Sequence, residues 1–217
     1  MEHPVFTRIM AEGFMPFGWF APKPSDRLPE GAGLLLLIGN AGPAMFRRFA
    51  RERDADRDLL DDWCRVVIDP LAQALGARAL YPFDKPPHPF LTWAQRAGCG
   101  HASPLGLNIH PTYGLWHAFR AALLFETDPG LPPMSASPHP CESCIGRPCL
   151  TACPVDAFTG ESYRIDDCVR HISSPAGEDC MLHGCLARRA CPVGQNYRYT
   201  DQQVQFHMHA FRRAHTE

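Results

Sequence analysis

The hydrophobic pattern of the first 130 residues predicts strands that alternate with helices. The apolar run at residues 34–38 is continuous and ends in a turn sequence at 39–43, which is typical of a strand buried on both faces. Residues 44–52 carry apolar side chains at helical spacing, and Pro43 suits the first turn of a helix. We therefore expect a buried strand that leads directly into a helix.

A longer amphipathic pattern predicts a second helix from about residue 57 to 75. Pro70 should kink this helix and Gly76 should end it. Its apolar stripe consists of Leu59, Leu60, Trp63, Val66, Val67, Leu71 and Leu75. Further predicted elements are a strand at 77–83, a short helix at 90–97, and core segments at 105–109 and 115–125, the last of which fits a helix or a strand. Together they indicate an α/β or α+β domain with a mixed sheet.

Residues 128–140 are rich in Pro, Gly and Ser, which favours a linker between two parts of the chain. A length of 217 residues allows one domain of ordinary size in addition to a small cysteine-rich one. The predicted divisions are a first domain at 1–130, a linker at 131–140, a cysteine-rich domain at 141–197 and a tail at 198–217.

Eight of the ten cysteines lie between residues 141 and 191. The segment begins as Cys141-x2-Cys144-x4-Cys149-x3-Cys153-Pro154 and ends as Cys185-x5-Cys191-Pro192. A [4Fe-4S] cluster is held by four thiolates, and in the bacterial two-cluster pattern the Cys before Pro ligates the other cluster. The eight cysteines therefore predict two clusters, and Cys64 and Cys99 remain outside them.

The same pattern predicts which cysteines share a cluster. The first cysteine set is Cys141, Cys144, Cys149 and Cys191, and the second cysteine set is Cys153, Cys168, Cys180 and Cys185. The roles of Cys168, Cys180 and Cys185 could exchange in detail.

Two other uses of the cysteines deserve comparison. Disulfides need an oxidising compartment, and the N-terminus shows neither a secretory signal pattern nor a twin-arginine start. Structural zinc sites also use Cys-x2-Cys knuckles, but they separate two knuckles by a long spacer. Four residues, 145–148, separate Cys144 from Cys149 where the common cluster run has two. Gly146 and Pro148 suit a wider turn, so we expect the cluster to tolerate the insertion.

Charge and hydropathy narrow the classes of partner. The formal net charge is −2 and the pI is about 6.6, which predicts no strong attraction to nucleic acid or to anionic lipid. The longest clean apolar run is far shorter than the roughly 20 residues of a membrane span. From these features we expect a soluble, cytoplasmic protein.

The order of several motifs resembles epoxyqueuosine reductases and reductive dehalogenases. These motifs are Phe83-Asp84-Lys85-Pro86-Pro87, the segment 90–98, Leu105-Gly106-Leu107-Asn108-Ile109-His110-Pro111 with Gly114 and Trp116, and the linker with its cysteine-rich module. The N-terminal part also resembles the cobalamin-processing chaperones of the methylmalonic aciduria type C group, through His3-Pro4, residues 43–46 and residues 109–116. The resemblances together cover nearly the whole chain.

The resemblance implies an α+β protein. A flavin-nitroreductase-like α/β sandwich domain that binds a corrinoid would precede a bacterial-ferredoxin-like domain with two [4Fe-4S] clusters. Such clusters reach potentials of about −700 mV, which suits the reduction of cobalamin. The implied function is that of an oxidoreductase, a corrinoid-linked reductase that either processes or dealkylates cobalamin or reduces a small substrate. The alternative is a ferredoxin-type electron-transfer protein that has no corrinoid and docks on a partner enzyme.

The resemblance also implies roles for four residues. Asp84 falls where a catalytic acid is expected, and His110, Tyr113 and Trp116 fall near the expected corrinoid pocket. Turn formation by Asp84, a hydrogen-bonded His110 and core packing of the two aromatic residues are the alternatives. An external electron donor of the flavodoxin or ferredoxin type is implied. A tRNA substrate is not expected, because few basic residues follow the last Cys-Pro pair.

Overall fold

A computed structural model describes residues 3–29, 31–53, 59–135 and 137–216. The chain forms two compact units. The first unit contains Met1–Gly100 and His117–Ser137, and the second contains His101–Trp116 and Pro138–Glu217. The loop 101–116 therefore belongs to the cysteine-rich unit, although the sequence-based division grouped it with the N-terminal domain. That division remains a prediction.

The first unit is built on a four-stranded antiparallel sheet with the strand order β1-β2-β6-β3. Its strands are β1 (Met15–Phe20), β2 (Leu34–Ala41), β3 (Ala77–Leu80) and β6 (His117–Phe125). Its helices are α1 (Pro4–Ala11), α2 (Ala44–Glu52), α3 (Leu60–Ala74) and α4 (Phe90–Arg96), with a short 3₁₀ turn at Pro24–Asp26. All described strand pairs of this sheet are antiparallel, so the predicted mixed sheet was wrong.

Strand β2 is one of the two inner strands of the sheet, because it pairs with β1 on one side and with β6 on the other. Its residues Leu35 to Ile38 are fully buried, which confirms the prediction of a strand covered on both faces. The ambiguous segment 115–125 is a strand, since residues 117–125 pair with β2 and β3. Pairing with two distant segments therefore decided what the local pattern left open.

Helix α2 has the predicted bounds, and α4 ends one residue before the predicted end. The predicted start of the second helix, at residue 57, lies outside the described residues, and described α3 begins at Leu60. Leu59 and Val66 were predicted in its buried stripe, but they are 64% and 73% exposed. That part of the prediction was wrong, because Ile68 and Ala72 complete the buried face instead.

The second unit consists of short helices joined by turns. It contains a two-stranded ladder, β4 (His101–Ala102) with β5 (Asn108–Ile109). Its helices are α5 (Pro148–Thr151), α6 (Ile165–Ile172), α7 (Glu178–His183), α8 (Leu186–Arg189) and α9 (Asp201–Ala214), with 3₁₀ turns at Pro175–Gly177 and Gln195–Tyr197. The predicted core segment 105–109 therefore contributes only two residues to a strand. Taken together, the two units form an α+β protein.

Within the described ranges of the chain, every helix is too short or too polar to cross a lipid bilayer.

Replacement of a central β2 side chain should destabilise the first unit. Leu36 is fully buried, so Leu36→Ala should lower the free energy of unfolding by about 2–5 kcal/mol through lost burial and a cavity. Val66→Ala removes an exposed side chain and should change that free energy by no more than about 0.5 kcal/mol. Denaturant unfolding followed by far-ultraviolet circular dichroism measures both variants. Equal unfolding midpoints for the two variants would contradict the central role of β2.

Candidate functional site

The second unit brings the first cysteine set together around one cavity. Cys141, Cys144, Cys149 and Cys191 line about 360 Å³ of empty space, part of which is open to solvent. Burial raises the pKa of Cys141, and the charges of the other three thiols raise it further. The four thiols are therefore electrostatic neighbours, although Cys191 lies 50 positions beyond Cys141 along the chain.

The second cysteine set lines a separate cavity. Cys153, Cys168, Cys180 and Cys185 surround about 310 Å³ of empty space. Burial raises the pKa of Cys168, which also interacts with Cys153 and Cys180. The pKa of Cys185 is raised to about 11, chiefly by burial and also by the charges of Cys180 and Cys168. The two sets are those that the sequence pairing predicted, while their role as ligands remains a prediction.

Short helices position the thiols of the second set. Cys168 lies on α6 and Cys180 on α7, while Cys185 is the N-cap residue of α8. The free N–H groups at a helix N-terminus can donate to a sulfur atom placed at the cap. The N–H groups of Arg188 and Ala187 lower the pKa of Cys185, against the larger effect of burial.

Backbone N–H groups also donate to thiols elsewhere in the second unit. Ala157 donates to the Sγ of Cys153 over 3.3 Å. The N–H groups of Leu186, Leu150 and Val193 lower the pKa values of Cys180, Cys149 and Cys191, respectively, although burial raises each of them more. Hydrogen bonds of this kind stabilise thiolates and suit ligands of a metal group.

Apolar residues complete the walls of both cavities. Leu105, Ile109 and Leu115 line the first cavity, so the loop 101–116 contributes directly to it. In the second cavity the wall includes Phe158, Ile172 and Met208. The sequence did not reveal that the loop 101–116 takes part, because its contacts depend on how the chain folds back.

In the described part of the chain, no group of three or more His, Cys, Asp or Glu residues could hold a metal ion. A zinc ion needs its sulfur ligands about 2.3 Å from one central point. The four thiols of each set line the wall of one cavity.

Cys64 and Cys99 lie in the first unit, and both are buried. Burial raises the pKa of Cys64 to about 11 and that of Cys99 to about 12, so both thiols are protonated near neutral pH. The two residues left outside the cysteine sets are thus unreactive core side chains.

Asp84 lies in the first unit and forms several hydrogen bonds. Its carboxylate accepts hydrogen bonds from Arg65 and from the N–H of Tyr81, each over 2.8 Å, and His88 lies 3.5 Å away. Burial opposes ionisation, but the Tyr81 N–H and the Arg65 guanidinium together lower the pKa of Asp84. The structure therefore favours an ionised Asp84 in a turn, and the catalytic role of this residue stays a prediction.

His110 and Tyr113 lie in the second unit, on a tight turn. The Nδ1 atom of His110 accepts the N–H groups of Thr112 and Tyr113 over 3.0 and 3.3 Å. Because Nδ1 accepts, the neutral ring carries its proton on Nε2. The His110 and Tyr113 rings lie 4.4 Å apart, and His110 is only 8% exposed. The alternative of a hydrogen-bonded histidine fits these contacts, and the corrinoid roles of both residues remain predictions.

Trp116 is enclosed by side chains of its own unit. The Arg188 guanidinium lies 4.6 Å from the Trp116 ring and 4.7 Å from the Tyr199 ring, and it donates to the Leu115 carbonyl oxygen. Trp116 is 2% exposed and makes an edge contact with Tyr199. These contacts are those of a core residue, while the corrinoid role of Trp116 is untested.

A broad groove also exists in the first unit, between α1, α2 and α3. Within the groove, Arg48 forms ion pairs with Glu12 and Glu52. The indole N–H of Trp63 donates a hydrogen bond to Glu52. It contains no cysteine or histidine. We therefore locate the candidate site at the two cysteine-lined cavities rather than at this larger opening.

The comparison with known proteins rests on structure alone. No family model matches the chain, and no curated protein matches it. Among solved structures, epoxyqueuosine reductase from Streptococcus thermophilus matches 90% of this chain with 13% identity and a TM-score of 0.58. Epoxyqueuosine reductase from Bacillus subtilis matches 90% of it with 17% identity and a TM-score of 0.50. The chain spans about 66% of the length of each enzyme.

A third match is the C. elegans B12-trafficking protein CblC, a homologue of human MMACHC. It covers 96% of this chain and 92% of its own length, with 17% identity and a TM-score of 0.51. The likeness establishes a shared fold. The motif order predicted a fold related to epoxyqueuosine reductases and to the cobalamin-processing chaperones. That prediction is confirmed at the level of fold.

The turn at residues 110–114 offers a test of how the loop 101–116 supports the second unit. Gly114 has a φ of +58°, and a Cβ atom there would collide with the carbonyl oxygen of Val193. Gly106 has a φ of +71°, and a Cβ atom there would meet nothing within 4 Å. Both Ala variants share the backbone strain of about 1–2 kcal/mol, and only Gly114→Ala adds a collision.

Gly114→Ala should therefore lower the Tm of the protein more than Gly106→Ala does. Thermal unfolding followed by circular dichroism measures the difference. Equal Tm values for the two variants would show that the turn is not held against residues 193–194.

Proposed function

We propose that the protein is an iron-sulfur redox protein that binds two [4Fe-4S] clusters. The observation that carries the proposal is the division of eight cysteines into two sets of four, each around its own cavity. Four thiolates per cluster are the ligand number that a cubane requires. The first cysteine set would hold one cluster, and the second cysteine set would hold the other.

The chemistry of the two cavities fits such clusters. A cubane of four iron and four sulfide atoms takes one thiolate on each iron, and each cavity is lined by four thiols. Zinc is disfavoured by the cysteine spacing, because zinc ribbons separate two Cys-x2-Cys knuckles by a long spacer, whereas here four cysteines fall in one short run closed by Cys-Pro. Backbone N–H donors stabilise the thiolates, and apolar wall residues limit the access of water. When bound, the clusters supply sites that accept and donate single electrons.

We further propose that these electrons serve a corrinoid-linked reductase reaction. Support comes from the motif order and from a fold shared with epoxyqueuosine reductases and with a B12-trafficking protein. The reaction would be the processing or dealkylation of cobalamin, or the reduction of a small substrate. An external donor of the flavodoxin or ferredoxin type would supply the electrons. In this proposal Asp84, which the structure favours in its ionised form, would have to take up a proton before it could act as the acid. His110, Tyr113 and Trp116 would lie near the corrinoid.

A second candidate function is electron transfer without a corrinoid. It is favoured by the contacts of the residues proposed above, because Asp84 is held as a carboxylate and His110 accepts two N–H groups of its own turn. In that case the first unit would have the fold of the corrinoid-binding proteins without a corrinoid, and it would dock on a partner enzyme.

Analysis of iron and acid-labile sulfide in protein purified without oxygen tests the cluster proposal. We expect about eight iron and eight sulfide per chain, four of each per cluster. Colourless protein that contains zinc and no sulfide would overturn the proposal.

Two variants make the assignment specific. Cys144→Ser removes a thiol of the first cysteine set and should reduce the iron content by about half, since one cubane of the two loses a ligand. Cys64→Ala removes a buried thiol of the first unit and should leave the iron content unchanged.

Titration with cob(II)alamin under anaerobic conditions separates the two candidate functions. A corrinoid-linked reductase should perturb the visible cobalt bands and bind the corrinoid saturably, because the protein would change the surroundings of the cobalt. Unchanged bands over the whole titration, with full iron content, would favour the electron-transfer protein instead.

A further inference from the structure

Ser103 brings a buried hydroxyl group to the first cysteine set from outside the cysteine motif. It lines the first cavity together with all four thiols of that set. Its Oγ atom is buried and forms no hydrogen bond within the described part of the chain. Apart from the thiols, the other polar side chain of this wall among the described residues is that of Arg147, which is exposed. Ser103 is therefore a buried polar group whose partner has to come from outside the described chain.

The backbone of Ser103 is fixed at the end of the ladder formed by β4 and β5. Ser103 directly follows β4, and its N–H donates to the carbonyl oxygen of Leu107 over 3.0 Å. Its own carbonyl oxygen accepts the N–H of Gly106, also over 3.0 Å. The two bonds close the turn without any help from the Ser103 hydroxyl.

Other hydroxyl groups of the second unit find a partner in the nearby backbone, as Ser and Thr side chains usually do. Ser174 donates to the carbonyl oxygen of His171 over 2.8 Å, and Thr151 donates to that of Pro148 over 3.3 Å. Ser103 makes no such bond, and a buried hydroxyl group without a partner costs free energy. An unpaired group of this kind in a native fold indicates a bound partner that is not part of the chain.

We propose that the Ser103 hydroxyl donates a hydrogen bond to a sulfur atom of the cluster held by the first cysteine set, and that it thereby raises the reduction potential of that cluster. The proposal rests on the cluster function proposed above. Ser103 and the four thiols line the same cavity, so a group bound there by the thiols lies beside Ser103. A hydroxyl group has one proton to donate, and negatively charged sulfur atoms can accept it.

The direction of the effect follows from charge. Hydrogen bonds to cluster sulfur atoms are among the factors that set cluster potentials. The reduced cluster carries one more negative charge than the oxidised cluster, so a donor stabilises the reduced form more and raises the potential. One electron enters the cluster from the external donor, and the hydroxyl proton stays on Ser103.

Two variants of the cluster-loaded protein test the role of the hydroxyl group. Ser103→Ala removes the donor and keeps the Cβ atom in the wall, so the potential of one cluster should fall. Ser103→Thr keeps a hydroxyl group, so the wild-type potential should be retained. A redox titration followed by electron paramagnetic resonance measures both clusters. The affected cluster should be the one whose signal is lost in Cys144→Ser.

Electron–nuclear double resonance of the reduced protein detects the hydrogen bond itself. After exchange into D₂O, the wild-type protein should show a deuteron coupling to the first cluster that is missing in Ser103→Ala and present in Ser103→Thr. A merely structural role of Ser103 would not remove one exchangeable coupling.

A lowered potential together with the loss of one exchangeable coupling in Ser103→Ala supports the proposal. An unchanged potential, or couplings identical to those of the wild type, would overturn it and would indicate that a bound water is the partner of the hydroxyl group. If Ser103→Ala does not retain the first cluster, Ser103→Thr decides. The wild-type potential and coupling in that variant support the proposal, whereas a lowered potential or a lost cluster there overturns it.

Ser174→Ala is the matched control. It removes a hydroxyl group of the same unit whose partner is a backbone carbonyl oxygen, so both potentials should stay unchanged. Wild-type protein with no iron and no sulfide would refute the cluster function itself. Full clusters with unshifted potentials in Ser103→Ala would refute only the role of Ser103.

Discussion

The second unit depends on the burial of thiol groups in apolar surroundings. Cys149, Cys153 and Cys191 pack in one core cluster with Leu105, Phe158 and other apolar residues, so the cysteines form part of the core itself. Burial raises the pKa of most of these thiols, which means that the folded chain disfavours free thiolates. A bound cluster would require thiolates, and its binding would therefore be coupled to proton release and to folding.

The two units illustrate different sources of stability. The first unit has a conventional sheet whose inner strand β2 is buried on both faces, and aromatic side chains such as Trp63 are buried in the same unit. The second unit has only a two-residue ladder and short helices. The proposed clusters would thus be structural as well as electronic components of the second unit, whereas the first unit contains its own core.

Local patterns predicted the elements whose residues contact their sequence neighbours. Helix α2 matched its predicted bounds because Met45, Phe46 and Phe49 recur at helical spacing and form one buried face. The segment 115–125 could not be assigned in this way, since its strand conformation comes from pairing with β2 and β3. The local pattern also failed to predict that Val66 is exposed, because its exposure depends on which face of α3 the sheet covers.

For the candidate site, the sequence by itself determined the chemistry and the tertiary structure decided the surroundings. The spacing of the cysteines and the two Cys-Pro pairs predicted two sets of four, because a cluster draws most of its ligands from one short loop. The structure brings the same sets together around two cavities. Only the folded chain placed the loop 101–116 in the wall of the first cavity. Ligand type is a property of individual residues, whereas a wall or a hydrogen bond arises where separate segments meet.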